Sequence, residues 1–596
     1  MRLFWDIETD GLLDTVSKVW CVVAIDLDTR KEYVWNCNGL NGGIEAAIEF
    51  LSKADLLVAH NGHRYDIHAL RKLFGWKPRL ETQLQDTMVL ARLRFPNQSK
   101  EDKELVRKGR LPSKLSGSDS LKAWGYRIGE HKAEYDGGWN AWSQEMEDYC
   151  VQDCRTGVAL WWHINPDDMS QAAIELEHQL AFIAFEMETA GWYLDEKAAH
   201  ELYTELVGRR HELEKQLVAK FGSWQEVDKV FVPKRDNAKL GYKKGVAVTK
   251  YKTVTFNPGS RRHIEKKLRE MGWTPVVFTP SGAAKLDEEI LENIDIPEAK
   301  LIIEYLLVQK RLGQLADGEN GLLKQVRNGK IHCWYKTLGT NTGRCAHARP
   351  NVAQTPKNKA PYGKQFRALY TVPPGWSLVG ADFEGLELRC LAHCLSFYDN
   401  GAYSKIVTDG DVHQYHADML GGVDRDTVAK RYIYAWLYGA QPPLLSTILK
   451  CTVAQAKRTG ENFLKRVPGL DKLKDKVNKG ARKGYIKGLD GRHIPIRSSH
   501  SAFNALLQSY GAVLCKRWLV DSYFALLNAG LRWGYDGDFV IVGWIHDELQ
   551  IACREGLEAT VGEIVVECAR RAGDRYGFRC RLDSKWIPGK SWKDTH

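Results

Sequence analysis

The 596-residue chain lacks any run of the about 18 consecutive apolar residues that a membrane-spanning helix needs. Its opening, MRLFWDIETD, has no basic segment followed by an apolar core, so no secretory leader is expected and the reading is a cytoplasmic protein. None of its 13 cysteines falls in a CxxC pair. Cys150 with Cys154, and Cys390 with Cys394, sit at helical spacing, which favours reduced, buried thiols over zinc or disulfides. Internal repeats and low-complexity tracts are missing too, and 44% hydrophobic with 27% charged residues excludes a disordered or collagen-like chain. What remains is a large globular protein with room for about four units of ~150 residues. Its 85 Lys and Arg against 75 Asp and Glu leave a net charge of +10, which favours a polyanionic partner.

Residues 1–165 read as α/β. The strand-like RLFWDIET and VWCVVAIDL precede a helical GGIEAAIEFLSKA and a strand-like DLLVAHN. A helical pattern follows from Ser170 to about Lys220, broken at Gly191. Residues 225–255 carry eight Lys or Arg and three acids and read as a basic insertion or loop between helices. Acids recur at informative places. Asp6 and Glu8, two apart on a strand, point to one face. Asp66 follows the strand DLLVAHN, and Tyr149 with Asp153 lie one helical turn apart. Four such acids would hold two hard cations through oxygen ligands, activating a water that Tyr149 orients toward a phosphodiester. DIET, HNGHRYD and YxxxD resemble the acidic motifs of DEDDy-type 3′-5′ exonucleases. That resemblance implies a ribonuclease-H-like fold that proofreads for a polymerase.

The second half holds another set. LVGADFEGLELRCLAHC puts Asp382 at the end of an apolar strand, with Glu387 five residues on in a helix. In RDTVAKRYIYAWLYGA, Lys430, Tyr434 and Tyr438 recur every fourth residue and share a helix face, suited to a triphosphate and a base or simply to packing. WIHDELQIACR sets Asp547 and Glu548 near a tight turn between β-forming runs. Two adjacent carboxylates repel unless a cation reverses the sign. Asp382 and Asp547 together would hold metals that align a primer 3′-hydroxyl with an α-phosphate.

These segments, with GTNTGRCAHARPNVAQTP, GDVHQYHADM and IKGLDGRHIPIRSSHSAFNALLQSYGA, resemble family A DNA polymerases, most of all the T-seven-type phage replicative enzymes. The resemblance implies an α+β right hand: thumb 166–330, palm 331–400 and 486–596, fingers 401–485. It implies metal ligation by Asp382, Asp547 and the Phe383 carbonyl with Glu548 adjacent, and nucleotide contacts from His413, Lys430 and Tyr434. Glu387 with Tyr434 would gate against a ribose 2′-hydroxyl. Arg344, Gln508 and His546 would touch the primer-template, and Tyr438 would sit beside the templating base. Two Mg²⁺ are implied in each site, with Mn²⁺ able to substitute. The implied partners are primer-template DNA, dNTPs, a phage helicase-primase and a single-stranded DNA-binding protein, in a bacterial host cytoplasm.

Three departures qualify the match. Arg425 stands five residues before Lys430 where the family has four, and in an α-helix this rotates it about 140° off the Lys430 face, leaving Arg431 as a weaker substitute. Glu384 adds an acid near the metals or points to solvent. The thumb has only the short basic stretch 225–255 in place of the family's long thioredoxin-recruiting insertion, so thioredoxin dependence is not carried over. The lysines there are expected to touch duplex phosphates directly or to form a solvated loop. Rival readings are a single-subunit RNA polymerase and a DNA-binding protein with a decayed catalytic site.

Overall fold

The computed structural model describes residues 1–596 except 133, 280, 499 and 500; the last two belong to the SSH of the IRSSHSAF segment. The chain divides into two compact units. One comprises Met1–Trp192, His332–Gln354 and Thr371–His596; the other comprises Tyr193–Ile331 and Thr355–Tyr370. The helix Gln171–Ala190, which the sequence reading grouped with the thumb, belongs to the first unit.

The first unit holds two sheets. A five-stranded mixed sheet is ordered Glu32–Asn36, Val19–Asp26, Arg2–Thr9, Leu56–Ala59, Gln83–Asp86. The first three strands run antiparallel, and Arg2–Thr9 pairs in parallel with Leu56–Ala59. Val19–Asp26 is buried along its whole length, as its unbroken β-forming run requires when both faces are covered. One face packs on Gln144–Ile164 through Phe4, Cys21, Val23, Cys150, Cys154 and Val158.

The second sheet is antiparallel, ordered Phe539–Ile545, Glu548–Arg554, Trp376–Phe383, Ser584–Gly589. The 27-residue helix Ala502–Asn528 lies nearby, apolar almost all round and buried accordingly: the Trp518 indole donates to the Val565 carbonyl at 2.8 Å, and its ring meets Phe383 at 4.6 Å. Helices follow one another from Ala402 to Ala481 in this unit.

The helix Gln171–Ala190 joins the two sheets' surroundings. His178 accepts from the Asp86 backbone N–H at 2.8 Å, and Arg64 donates to Glu188, whose carboxylate also accepts from the Tyr335 N–H at 2.7 Å. On the same helix, fully buried Glu177 accepts from Lys516 at 2.5 Å and forms an ion pair with Arg492 at 2.6 Å, and Arg492 donates to Asp490.

In the second unit, the two ends of the stretch 225–255 lie in paired strands, and 232–247 connects them. They form an antiparallel hairpin of Ser223–Phe231 and Val248–Thr255, because EVDKVFV and VTKYKTV alternate β-branched and polar residues. Lys229 pairs across from Lys250, and strand alternation puts Lys252 on the same face as Lys250. Trp224 anchors the hairpin's base on the helix Arg261–Glu270, edge-on to His263 at 5.0 Å with Lys267 4.6 Å above its ring.

Candidate active sites

The amino-terminal acids converge. Asp6 and Glu8 leave one face of Arg2–Thr9, Asp66 opens the helix Asp66–Phe74 just after the neighbouring strand, and Asp153 with Tyr149 comes from Gln144–Ile164, which covers that sheet. Ligand atoms of Asp6, Glu8 and Cys150 all lie within 4.8 Å of one another. Burial and then the charges of Asp66, Glu8 and Asp153 push the Asp6 carboxyl well above the carboxylate range. Burial, ahead of Asp153, lifts Glu8 to about 8. Burial is also the leading cause that raises Asp66 to about 7 and Asp153 to about 6. Asp153 Oδ1 is buried without a hydrogen-bond partner. Crowded, desolvated carboxylates with an orphaned oxygen are what hard divalent cations relieve, so this donor set fits them.

One contributor was not legible in the sequence. Lys132, from the connection between Leu121–Ile128 and Gln144–Ile164, donates to Asp153 and lies 4.4 Å above the Tyr149 ring. Nothing in HKAEYDGG marks it, since a lysine in a polar connection is ordinarily solvated.

The second cluster is assembled by sheet register. Asp382 ends the strand Trp376–Phe383 and pairs with Glu548 of the adjoining strand. The Phe383 N–H donates to the Asp547 carbonyl at 3.0 Å. His546 and Asp547 form the two-residue turn of the hairpin, and His546 takes φ +61°, the left-handed conformation such a turn asks of one central residue. Asp382 is exposed and Asp547 partly so, two oxygen-rich side chains at the rim of one sheet that fit divalent cations. Glu548 behaves differently. It is 5% exposed and accepts from the Trp592 indole and from Gln550 at 2.8 Å, with His596 Nδ1 3.3 Å away. It braces the carboxy-terminal segment against the hairpin.

Around these acids runs a cleft lined by Arg344, Glu387, Tyr438, Lys516, His546 and Asp547. The Tyr438 hydroxyl donates to Glu387 at 2.9 Å, and Arg344 stands 3.8 Å from the same carboxylate. Burial, then the charge of Glu387, pushes the Tyr434 and Tyr438 phenols up to about 12. The Glu387 hydrogen bond therefore goes to Tyr438, one helical turn beyond Tyr434. The His413 ring is 6.1 Å from that of Tyr434, and burial, then Lys430, lowers the His413 pKa. Gln508 lies on the helix Ala502–Asn528 in partial exposure. Glu384 pairs with Lys585 at 2.6 Å and stands 3.6 Å from Arg389, a partly exposed ion pair that offsets its charge.

The α-helical arithmetic for Arg425 fails. Residues Arg425–Ala429 form a π-turn, closed by the Lys430 N–H donating to the Arg425 carbonyl. A turn closed at i+5 holds about one residue more than an α-turn, so Arg425 lies close to one turn before Lys430 instead of on the far side. Its guanidinium bonds Asp411 at 2.8 Å and Asp426.

Two family models match this chain. Residues 240–594 match the model of DNA polymerase family A, and residues 3–165 match that of the RNase_H superfamily. The DNA-directed DNA polymerase of Enterobacteria phage T3 is 36% identical, covering 99% of each chain, and that of Escherichia phage T7 is 35% identical with the same coverage. Those alignments span 702 positions against 596 residues here, so more than a hundred positions of the relatives face gaps in this chain. The solved POL domain of Pol1 from M. smegmatis, in complex with DNA primer-template and dNTP, shares the fold: TM-score 0.74 and 20% identity over 100% of this chain and 96% of that one.

Proposed function

This chain belongs to DNA polymerase family A, and from that premise we propose how its residues divide synthesis from degradation. It is a DNA-directed DNA polymerase with an RNase H-like exonuclease domain, acting on primer-template DNA with dNTPs and dependent on divalent metal. Asp382 and Asp547, with the Phe383 carbonyl, would hold two Mg²⁺ in the polymerase site. Asp6, Glu8, Asp66 and Asp153 would hold two in the exonuclease site, with Mn²⁺ an acceptable substitute in both. When bound, such cations act as Lewis acids that stabilise charge on the phosphoryl oxygens and favour the ionised nucleophile.

The rest is positioning by the chain itself. Lys430 offers a point charge to the triphosphate, His413 a ring nitrogen, and Tyr434 a face for the incoming base. The primer 3′-oxygen bonds to the α-phosphorus, the bond to the bridging oxygen breaks, and pyrophosphate leaves with its charge held on the Lys430 face. Glu387, held by Tyr438, narrows the room for a ribose 2′-hydroxyl. Arg344, Gln508 and His546 orient the primer terminus. In the exonuclease site Tyr149 orients the attacking water. The register that joins Asp382 to the Asp547 turn carries the polymerase assignment. Asp382→Ala and Asp547→Ala are each expected to cut primer extension by more than ~10³-fold while leaving single-strand degradation intact. Persistent extension in either variant defeats the metal assignment.

The phage relatives support replication of a phage genome; the reading extends to a bacterial host cytoplasm, with a phage helicase-primase and a single-stranded DNA-binding protein as partners. The hairpin Ser223–Thr255 would grip duplex phosphates through Lys229, Lys250 and Lys252, without thioredoxin. Replacing those three by Gln is expected to lower the salt slope of primer-template binding by about 2–3. An unchanged slope leaves the hairpin outside the DNA path.

A further inference from the structure

The exonuclease cluster contains its own cation. Lys132 Nζ donates to the Asp153 carboxylate and caps the Tyr149 ring, and its side chain is 19% exposed. It thus touches two groups that the exonuclease reading puts at the reacting centre, a metal ligand and the residue that orients water. Its charge opposes that of Asp6 and Glu8, lowering the proton affinity that burial and mutual repulsion raise in both. Other charged groups face the cluster as well: Asp66 from its helix, and Asp86 from the edge strand beyond it. The Lys132 ammonium acts on Asp6, Glu8 and Asp153 alike, favouring the ionised form of each.

Charge balance gives this ammonium a task. Four carboxylates and two divalent cations cancel. A phosphodiester entering that neutral centre brings one negative charge, and burial makes an uncompensated charge expensive. Lys132 carries the one positive charge needed, on a flexible four-carbon stem that lets it leave Asp153 and follow the incoming group. A lysine is suited to this as a point charge that contacts whichever phosphoryl oxygen is nearest.

We propose that Lys132 is a positioning residue of the exonuclease site that holds Asp153 and Tyr149 before substrate arrives and then binds the terminal phosphodiester of the strand being degraded. This rests on the exonuclease reading of residues 1–165. The alternative is that Lys132 is a placeholder that metal simply displaces, contributing nothing to the loaded site.

The test uses the full chain as wild type, Lys132→Met and Lys132→Arg. Trinucleotide binding is measured with Ca²⁺ filling the cation sites, once with an ordinary 3′-terminal phosphodiester and once with an uncharged methylphosphonate there. Wild type is expected to bind the charged trinucleotide several-fold more tightly than the neutral one. Lys132→Met should narrow that preference several-fold, and Lys132→Arg should regain part of the difference. An equal preference for charge in wild type and Lys132→Met overturns the proposal. With saturating Mg²⁺, Lys132→Met is expected to lose at least tenfold in degradation kcat while primer extension in the same preparation stays at the wild-type rate, which certifies the fold. An unchanged kcat with a lower Mg²⁺ half-saturation establishes the placeholder and also overturns the proposal. Wild type that degrades no single strand at all would instead break the exonuclease reading itself.

Discussion

The two acid clusters, proposed as the exonuclease and polymerase sites, sit in opposite surroundings. In the exonuclease cluster, Asp6, Glu8, Asp66 and Asp153 are drawn from a strand and two helices, desolvated and pressed together, with Lys132 folded in among them. In the polymerase cluster, Asp382 and Asp547 stand at the rim of a sheet, one exposed and one partly so, while the neighbouring acids are already committed: Glu548 to Trp592, Gln550 and His596, Glu384 to Lys585 and Arg389. A site that receives a single strand end can be built closed. A site that must admit a duplex and a different nucleotide each cycle keeps its ligands at an open edge and pins everything around them. The difference teaches that carboxylate count alone does not define a metal site; burial and the charges around each carboxylate set how strongly it calls for a cation.

The contrast breaks most severely where the clusters share support. Glu177 lies fully buried on the helix Gln171–Ala190 and neutralises Lys516, on the helix that lines the polymerase cleft, together with Arg492. Glu177→Ala strands a buried ammonium and is expected to destabilise the first unit by about 3–5 kcal/mol, read by urea denaturation. Synthesis and degradation should then lose heat resistance at the same temperature. Inactivation at two distinct temperatures would mean that the helix does not tie the clusters together.

A smaller effect sharpens the electrostatic half of the comparison. Glu8, Asp66 and Asp153 have folded-state pKa values raised to about 8, 7 and 6. The folded protein therefore binds protons that the unfolded chain releases near its ordinary carboxylate values. Through this cluster the metal-free protein loses stability as pH rises from about 4 to about 8. Mg²⁺ relieves the same repulsion, so its gain in Tm should be larger at pH 8 than at pH 5.5, and Asp6→Asn with Glu8→Gln should shrink that gain. A Mg²⁺ effect independent of pH in the wild type contradicts the crowding described here.

Legibility in the sequence followed the kind of structure that carried each residue. Strand alternation and helical spacing placed Asp6 with Glu8, and Tyr149 with Asp153, because local periodicity decides which side chains share a face. The apolar runs flanking Asp382 and Asp547 identified the strands, and the sheet joins them. Long-range and irregular features were opaque. Arg425 was misplaced because a π-turn absorbs one extra residue, which no spacing rule for α-helices anticipates. The lysine-rich stretch 225–255 reads as loop by charge, while its β-branched alternation makes a hairpin. Lys132 reaches Asp153 across the sequence from a connection without a motif, and the buried group of Glu177, Lys516, Arg492 and Asp490 joins segments more than 300 residues apart.

The central claim is that one chain holds two chemically independent acid clusters. The most direct measurement is synthesis on a primed template and degradation of a single strand, side by side, in the variant carrying Asp6→Ala and Glu8→Ala. The account expects wild-type extension with degradation lost by more than ~10³-fold. Degradation that survives both substitutions, or extension that falls with it, would contradict the claim.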